Sequence, residues 1–227
     1  MAEPAALLER LSVVVPTLNA GDDVRRCLEA LEGVGQMVVV DGGSSDETRE
    51  IAARAGAKVI TSDPGRGVQL RNGVAEARGD WLLFLHADTF LGDGWRPAVA
   101  SHMGSEPHRA GYFRLRLRSD DRRARLIERG VKWRCNAFGL SFGDQGLLIA
   151  RALYDEVGGY AAIALMEDVD LVRRLGRRRL VALAADAFTS ASRWERDGWA
   201  RRSLGNIALQ LLYFAGVSPE RLARLYR

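Results

Sequence analysis

Apolar runs and polar, glycine-punctuated stretches succeed one another along most of the chain. Leu11-Ser12-Val13-Val14-Val15 is a β-branched run stopped by Pro16, which predicts a first strand with Thr17-Leu18-Asn19-Ala20-Gly21 as its turn. Beyond Asp22, placed to cap, Val24, Cys27, Leu28 and Leu31 fall on the i, i+3, i+4, i+7 stripe of a helix that covers a sheet. A second βα unit follows, with a strand over 37–40 and Asp41 directly at its carboxyl end. Gly42-Gly43-Ser44-Ser45 then turns into a helix beginning near Asp46, the glycines permitting close backbone approach and the serines capping. Asp41 reads two ways, as a ligand contact or as the cap of a tight turn. A third unit pairs a strand at 58–60 with a loop over 63–67 and a helix over 68–77, and Arg66 in that loop faces the same edge.

The organising stretch is 79–89, in which residues 82–85 are wholly apolar, as in a strand covered on both faces of a parallel sheet. The run breaks into His86 and Asp88, two apart and pointing the same way from the carboxyl edge where ligands of such sheets gather. Asp88 is placed to hold a hard cation. Further on, Phe113, Leu115 and Leu117 alternate with Arg114, Arg116 and Arg118, a strand wet on one face. A helix over 122–136, a glycine-rich loop over 137–146 of the kind that closes on ligands, an apolar run at 147–149 and a short helix over 152–157 come next. Met166-Glu167-Asp168 opens another helix, and two short strands are expected at 180–184 and 187–191. The tail carries Leu204, Ile207, Leu211 and Phe214, then Ser218-Pro219-Glu220 as a helix start with proline at its first position. Those four apolar side chains are expected to be buried against the domain or a second copy, with a peripheral membrane contact as the other reading.

At 227 residues and 47% hydrophobic content, the chain supports one α/β core without disulfides. The expected division is a domain over 1–198 and an amphipathic helical tail over 199–227. Cys27 and Cys135 have no metal-ligand spacing and read as reduced thiols. Met1-Ala2-Glu3-Pro4 lacks the basic and apolar regions of a signal peptide, and no run approaches the roughly 20 apolar residues of a spanning helix, so a soluble cytoplasmic protein is expected. Net charge is +4, and all but Lys58 and Lys132 of the 33 basic residues are arginine, the better phosphate fork. The clusters at 122–125 and 177–179 lack interleaved aromatics and read as solvated faces rather than a nucleic-acid or anionic-lipid patch.

Five motifs in order, 13–19, 39–46, 84–88, 157–160 and Glu167-Asp168, resemble glycosyltransferase family 2 with its GT-A (Rossmann-like) fold, a mostly parallel sheet flanked by helices. The Phe84-Leu85-His86-Ala87-Asp88 form is similar to the small soluble bacterial group often called rSAM/selenodomain-associated transferases; most relatives have aspartate where this chain has His86. The resemblance implies a nucleotide diphosphate sugar donor, UDP-sugar foremost, a hydroxyl acceptor it does not name, and Mn2+ or Mg2+ at Asp88. It places Pro16, Thr17 and Asn19 in the first nucleotide-contacting loop, makes Asp41 the hydrogen-bond acceptor for uracil with Gly42, Gly43 and Ser44 beside it, and makes Asp168 the general base with Glu167 adjacent. His86 is expected on the ribose or just outside the metal shell, with direct ligation as the alternative. Asp144 and Gln145 are candidate sugar-hydroxyl partners, and Trp194, in a partial match to a late basic-aromatic motif, is a candidate seal of the pocket. The other readings are a non-catalytic nucleotide-binding subunit and a nucleotidyltransferase, though residues 15–19 lack the glycine-rich basic loop of the latter.

Overall fold

Three βα units laid down in succession build the first half of the computed structural model, which describes residues 3–226; Met1, Ala2 and Arg227, the outer ends of the expected domain and tail, lie outside them. After helix α1 (Pro4–Leu8) come β1 (Leu11–Thr17), α2 (Gly21–Glu29), β2 (Gln36–Asp41), α3 (Thr48–Arg54), β3 (Lys58–Thr61), α4 (Arg66–Glu76) and β4 (Trp81–Phe84). The second half adds β5 (Thr89–Leu91), α5 (Trp95–Ser105), β6 (Ala110–Arg118), α6 (Arg122–Phe138), β7 (Leu147–Ala150), α7 (Arg151–Glu156), α8 (Glu167–Leu175) and β8 (Leu180–Ser190). Helices α9 (Ser192–Asp197), α10 (Trp199–Phe214) and α11 (Pro219–Leu225) complete the described chain.

The eight strands form one sheet in the order β3-β2-β1-β4-β7-β6-β8-β5, and four of its seven pairings are parallel. Val13, Val14 and Val15 of β1 and Leu82 and Leu83 of β4 are fully buried, so the unbroken apolar runs are the strands with both faces covered. From β1 the chain moves outward through β2 to β3, then returns to place β4 on the other side of β1. That reversal opens a crevice at the carboxyl ends of β1 and β4, where ligands of α/β sheets bind.

Several local expectations shift. Asp22 lies inside α2 and caps nothing; the helix start is held from the neighbouring loop, Gly21 N–H donating to Asp46 Oδ2 and Ala20 N–H to Thr48 Oγ1. Ser44 and Ser45 are spent on Asp41 and Asn19 rather than on capping, and α3 starts only at Thr48. The two short strands are a single strand, β8, whose pairing with β6 shifts register between Tyr112–Ala182 and Arg114–Asp186, where the break was expected; there Asp186 accepts bonds from Arg114 Nε at 2.7 Å and Arg116 Nε at 3.1 Å.

The tail departs most from expectation. Helix α10 buries only Trp199 and Leu209, while Leu204, Ile207, Leu211 and Phe214 are 66%, 51%, 63% and 42% exposed. They are not packed on their own domain. Polar contacts fix the helix instead: Trp194 Nε1 donates to Ser203 Oγ at 3.3 Å, Arg202 Nη2 to the Tyr226 hydroxyl at 2.6 Å, and the Tyr213 hydroxyl to Asp170 at 3.4 Å. Among the described residues no helix is long and apolar enough to cross a membrane.

Candidate active site

The loops after β1 and β2 are tied into one unit around Asp41. Its carboxylate is fully buried and accepts from Thr17 Oγ1 at 3.1 Å, Gly43 N–H at 3.1 Å, Ser44 N–H at 2.8 Å and the Ser44 hydroxyl. Burial alone would raise its pKa, but the bonds from Ser44, Thr17 and Gly43 outweigh burial and hold it below the ordinary 3.8. In this structure the carboxylate expected to meet uracil is buried and taken up by these four donors. Asp41 shapes the loop in which Gly43 takes φ 96°, a conformation that favours glycine. Asn19, at φ 50°, accepts from Ser45 N–H at 2.9 Å and donates its own N–H to Ser44 Oγ at 2.8 Å. Pro16 lies opposite Val40 in the register, at the mouth of this unit.

Gln69, which sequence reasoning missed, is the strut beneath it. This buried side chain donates from Nε2 to Thr17 O and Val40 O, both at 2.8 Å, joining the carboxyl ends of β1 and β2. Its only signal in the sequence is a lone amide beside Leu70 on the sheet-facing side of a helix. Asp41→Ala is expected to leave several buried donors unpaired and to cost about 1–3 kcal/mol. The folded pKa is depressed, so this stabilisation is complete above 3.8 and is lost as pH falls through the lower folded value. Thermal melts of both proteins at neutral and acid pH check it, and the gap between them should narrow in acid.

Across the crevice three loops converge. Asp168, second residue of α8, accepts from Gly143 N–H with Oδ2 and from Val169 N–H with Oδ1, both at 2.7 Å. Met166 before it takes φ 67°, a left-handed conformation that a non-glycine residue adopts only when its surroundings impose it. A Cβ at position 143 would lie 2.4 Å from His86 Nε2 and 3.3 Å from Asp168 Oδ2, so only glycine lets the imidazole and the carboxylate share this corner. Arg66 reaches in from the start of α4, where the expected loop has become the first turn, with Nη1 3.6 Å from Glu167 Oε1. Phe84, Leu85, Leu147 and Tyr160 wall the cavity lined by Arg66, His86, Glu167 and Asp168.

Charge is concentrated here. Burial, then the neighbouring Asp168, pushes the Glu167 carboxyl up to about 7. Asp144 is pushed up to about 6 by burial, with Asp168 and Asp88 adding to the rise and Arg134 opposing it, and its Oδ1 is buried without a partner. Asp88 is also raised, by burial, against the pull of Arg193 and Arg66. Burial, followed by the positive charges of Arg66 and Arg193, keeps His86 well below 6.5 and so neutral. Burial beside Asp88 and Asp23 pushes the Cys27 thiol up to about 12, which removes it as a nucleophile.

Three candidates change role. Gln145 is buried: Nε2 donates to Phe113 O at 3.1 Å while Oε1 accepts from Phe142 N–H and the Cys135 thiol, so it cannot meet a sugar. Trp194 packs half-buried between α9 and α10 rather than over the cavity. Glu167 is 2% exposed and faces Arg66. The basic residue of that late motif, Arg193, is the one whose charge reaches His86 and Asp88.

Among the described residues no three His, Cys, Asp or Glu side chains are placed to cage a metal ion. Asp88 alone still fits Mn2+ or Mg2+, since such ions commonly take one or two carboxylates and complete their shell with substrate phosphates and water. A carboxylate raised by burial is also one that a cation would stabilise. For Asp144 the folded state holds its proton more tightly than the unfolded chain, so stability should fall as pH rises from 3.8 to about 6 and stay lower above it. Asp144→Asn, melted in EDTA, should gain of order 1–3 kcal/mol at pH 8 and nothing at pH 4; equal melting at pH 8 would refute this.

Residues 12–160 match the profile of glycosyl transferase family 2, and the chain belongs to that family. A PGL/p-HBAD biosynthesis glycosyltransferase of Mycobacterium bovis is 37% identical over 165 residues, which cover 66% of this chain and 62% of that protein. A glucosyl-3-phosphoglycerate synthase of Mycolicibacterium smegmatis is 33% identical over 100 residues, covering 38% of this chain and 33% of that one. Among solved structures, the Mycobacterium tuberculosis glucosyl-3-phosphoglycerate synthase in complex with Mn2+, UDP-glucose and phosphoglyceric acid aligns with TM-score 0.56 at 20% identity, over 80% of this chain and 73% of that chain. S. aureus TarS 1-349 aligns with TM-score 0.59 at 17% identity, over 79% and 60%. These likenesses establish the GT-A fold. The chain spans less than two thirds of the length of the M. bovis relative.

Proposed function

We propose that the chain is a divalent-metal-dependent glycosyltransferase that moves a sugar, with inversion, from a nucleotide diphosphate sugar, preferably a UDP-sugar, to a hydroxyl acceptor. The observation that carries this reading is the convergence of the Asp168 carboxylate, the Gly143 amide and the His86 ring at the sheet edge that also carries Asp88. Asp168 is the general base: its orientation is set by two backbone N–H groups, and it takes the proton of the attacking hydroxyl. Glu167 positions Arg66, and Arg66 with Arg193 supplies positive charge for the diphosphate. Neutral His86 offers a hydrogen bond to the ribose or sugar. A divalent ion held at Asp88 would act as a Lewis acid on the leaving oxygens. The loop built on Asp41 and Gln69 receives the base, with Asn19 and Gly43 at its surface. UDP-glucose and Mn2+ in the M. tuberculosis structure support both the donor class and the metal.

The test is a panel of UDP- and GDP-sugars incubated with the purified protein and manganese, reading free nucleoside diphosphate. UDP release in excess of GDP release is expected. Preference for GDP-sugars would overturn the donor assignment, and no release from any donor, with acceptors of varied chemistry present, would favour a non-catalytic nucleotide-binding role.

A further inference from the structure

We propose that the outer face of α10, together with the exposed apolar residues of α6, docks the protein on an anionic membrane surface. An ordinary surface helix turns its apolar stripe inward, and α10 does the reverse. Beside buried Trp199 and Leu209, the half-buried positions are Arg202, Ser203, Asn206, Gln210 and Tyr213, while Leu204, Ile207 and Leu211, at i, i+3 and i+7, form an outward stripe that Leu212 and Phe214 widen. On α6, Leu126, Trp133 and Phe138 are 63%, 65% and 57% exposed. The guanidinium of Arg123 lies 5.7 Å from the Trp199 ring, so the two helices start side by side.

The charges around these side chains select the occupant. Helix α10 contains no acid, and Arg201 is exposed at its start. The one acid of α6, Glu128, is buried and paired with Arg116 and Arg125, leaving Arg122, Arg129 and Lys132 exposed without an acidic neighbour on that helix. At the far end of α10, the Arg173 guanidinium stands 5.3 Å from the Phe214 ring. Between Trp199 and Tyr226 the chain has a single acid, Glu220. A two-fold contact between copies would set this patch against itself, arginine facing arginine. A bilayer bearing anionic headgroups satisfies both parts at once: phosphates meet the arginines, the acyl boundary takes the leucines, and an exposed tryptophan suits the interface. Because no described helix can span, the mode is lying on the surface.

The experiment is flotation of the full chain with vesicles of phosphatidylcholine alone and of phosphatidylcholine mixed with phosphatidylglycerol, at low and high salt. Recovery is expected with the mixed vesicles at low salt, falling as salt screens the headgroups. Ile207→Asp with Leu211→Asp should reduce it at least about tenfold, with an unchanged melting temperature because both side chains are exposed. Arg122→Gln with Arg129→Gln should reduce it without touching the apolar stripe. No recovery with mixed vesicles, or full recovery of the Asp double variant, overturns the proposal. So does a lipid-free dimer in sedimentation velocity that the same Asp substitutions dissociate, which would give the face to a second copy. Vesicle recovery needs neither donor nor turnover, so its outcome is separate from that of the sugar-transfer reading.

Discussion

Asp168→Asn is expected to lose at least about 10²-fold in sugar transfer while still folding and binding the donor. The amide has the shape of the carboxylate but cannot accept the proton of an attacking hydroxyl. The substitution has a structural side as well. Both oxygens of Asp168 accept backbone N–H groups, from Gly143 and Val169, and an amide can serve only one of them. Losing one such bond costs about 1 kcal/mol of stability, which lowers a melting temperature but not turnover at a temperature where the variant is folded. Rates measured there with saturating donor, beside a thermal melt, separate the two contributions. Glu167→Gln should lose less, because that carboxyl is buried against Arg66 and held up to about 7. Near-normal turnover by the Asp168 variant would move the search for a base to Asp144, whose partnerless Oδ1 lies in the same acidic group.

The second large effect is expected at Asp88. The unmutated protein should bind UDP more tightly with manganese than with EDTA, and Asp88→Ala should abolish that difference while leaving the metal-free affinity largely in place. The reasoning rests on charge: Arg66 and Arg193 act on this edge whether or not a metal is bound, so the diphosphate keeps two cationic neighbours. Transfer should fall by about 10²-fold or more, since stabilisation of a leaving diphosphate by a metal amounts to several kcal/mol. Titration calorimetry with and without the ion measures the binding part directly. Equal UDP affinity under both conditions in the unmutated protein would remove the metal from Asp88.

Much of this architecture was legible because the chain announces its buried strands. Val13-Val14-Val15, Val38-Val39-Val40 and the run ending at Leu85 are apolar without interruption, and the first polar residues after them lie at the ligand edge. Asp88 could be placed for that reason, whereas Asp168, at the start of a helix, was reached only through the Glu167-Asp168 motif of the family resemblance. Side chains whose roles depend on distant partners could not. Nothing near Gln145 in sequence indicates that Phe113 and Cys135 will consume its amide, and nothing near Gln69 points to two strand ends 29 and 52 residues away. Asp41 was found, but its four donors close it to solvent, a property of the folded loop rather than of the motif. The orientation of α10 was missed for a similar reason: periodicity identifies an apolar stripe, whereas Asp170 and Tyr226, which hold its polar side inward, come from elsewhere in the chain.

The bond from Gly143 N–H to Asp168 Oδ2 joins the candidate base to the loop between α6 and β7. A hydrogen bond to a charged acceptor is roughly twice as strong as one between neutral groups. A proton arriving on Asp168 therefore slackens the tether of that loop, and a proton leaving tightens it. On the proposed mechanism, the side chain that takes the acceptor's proton is thus the same one that tethers this loop.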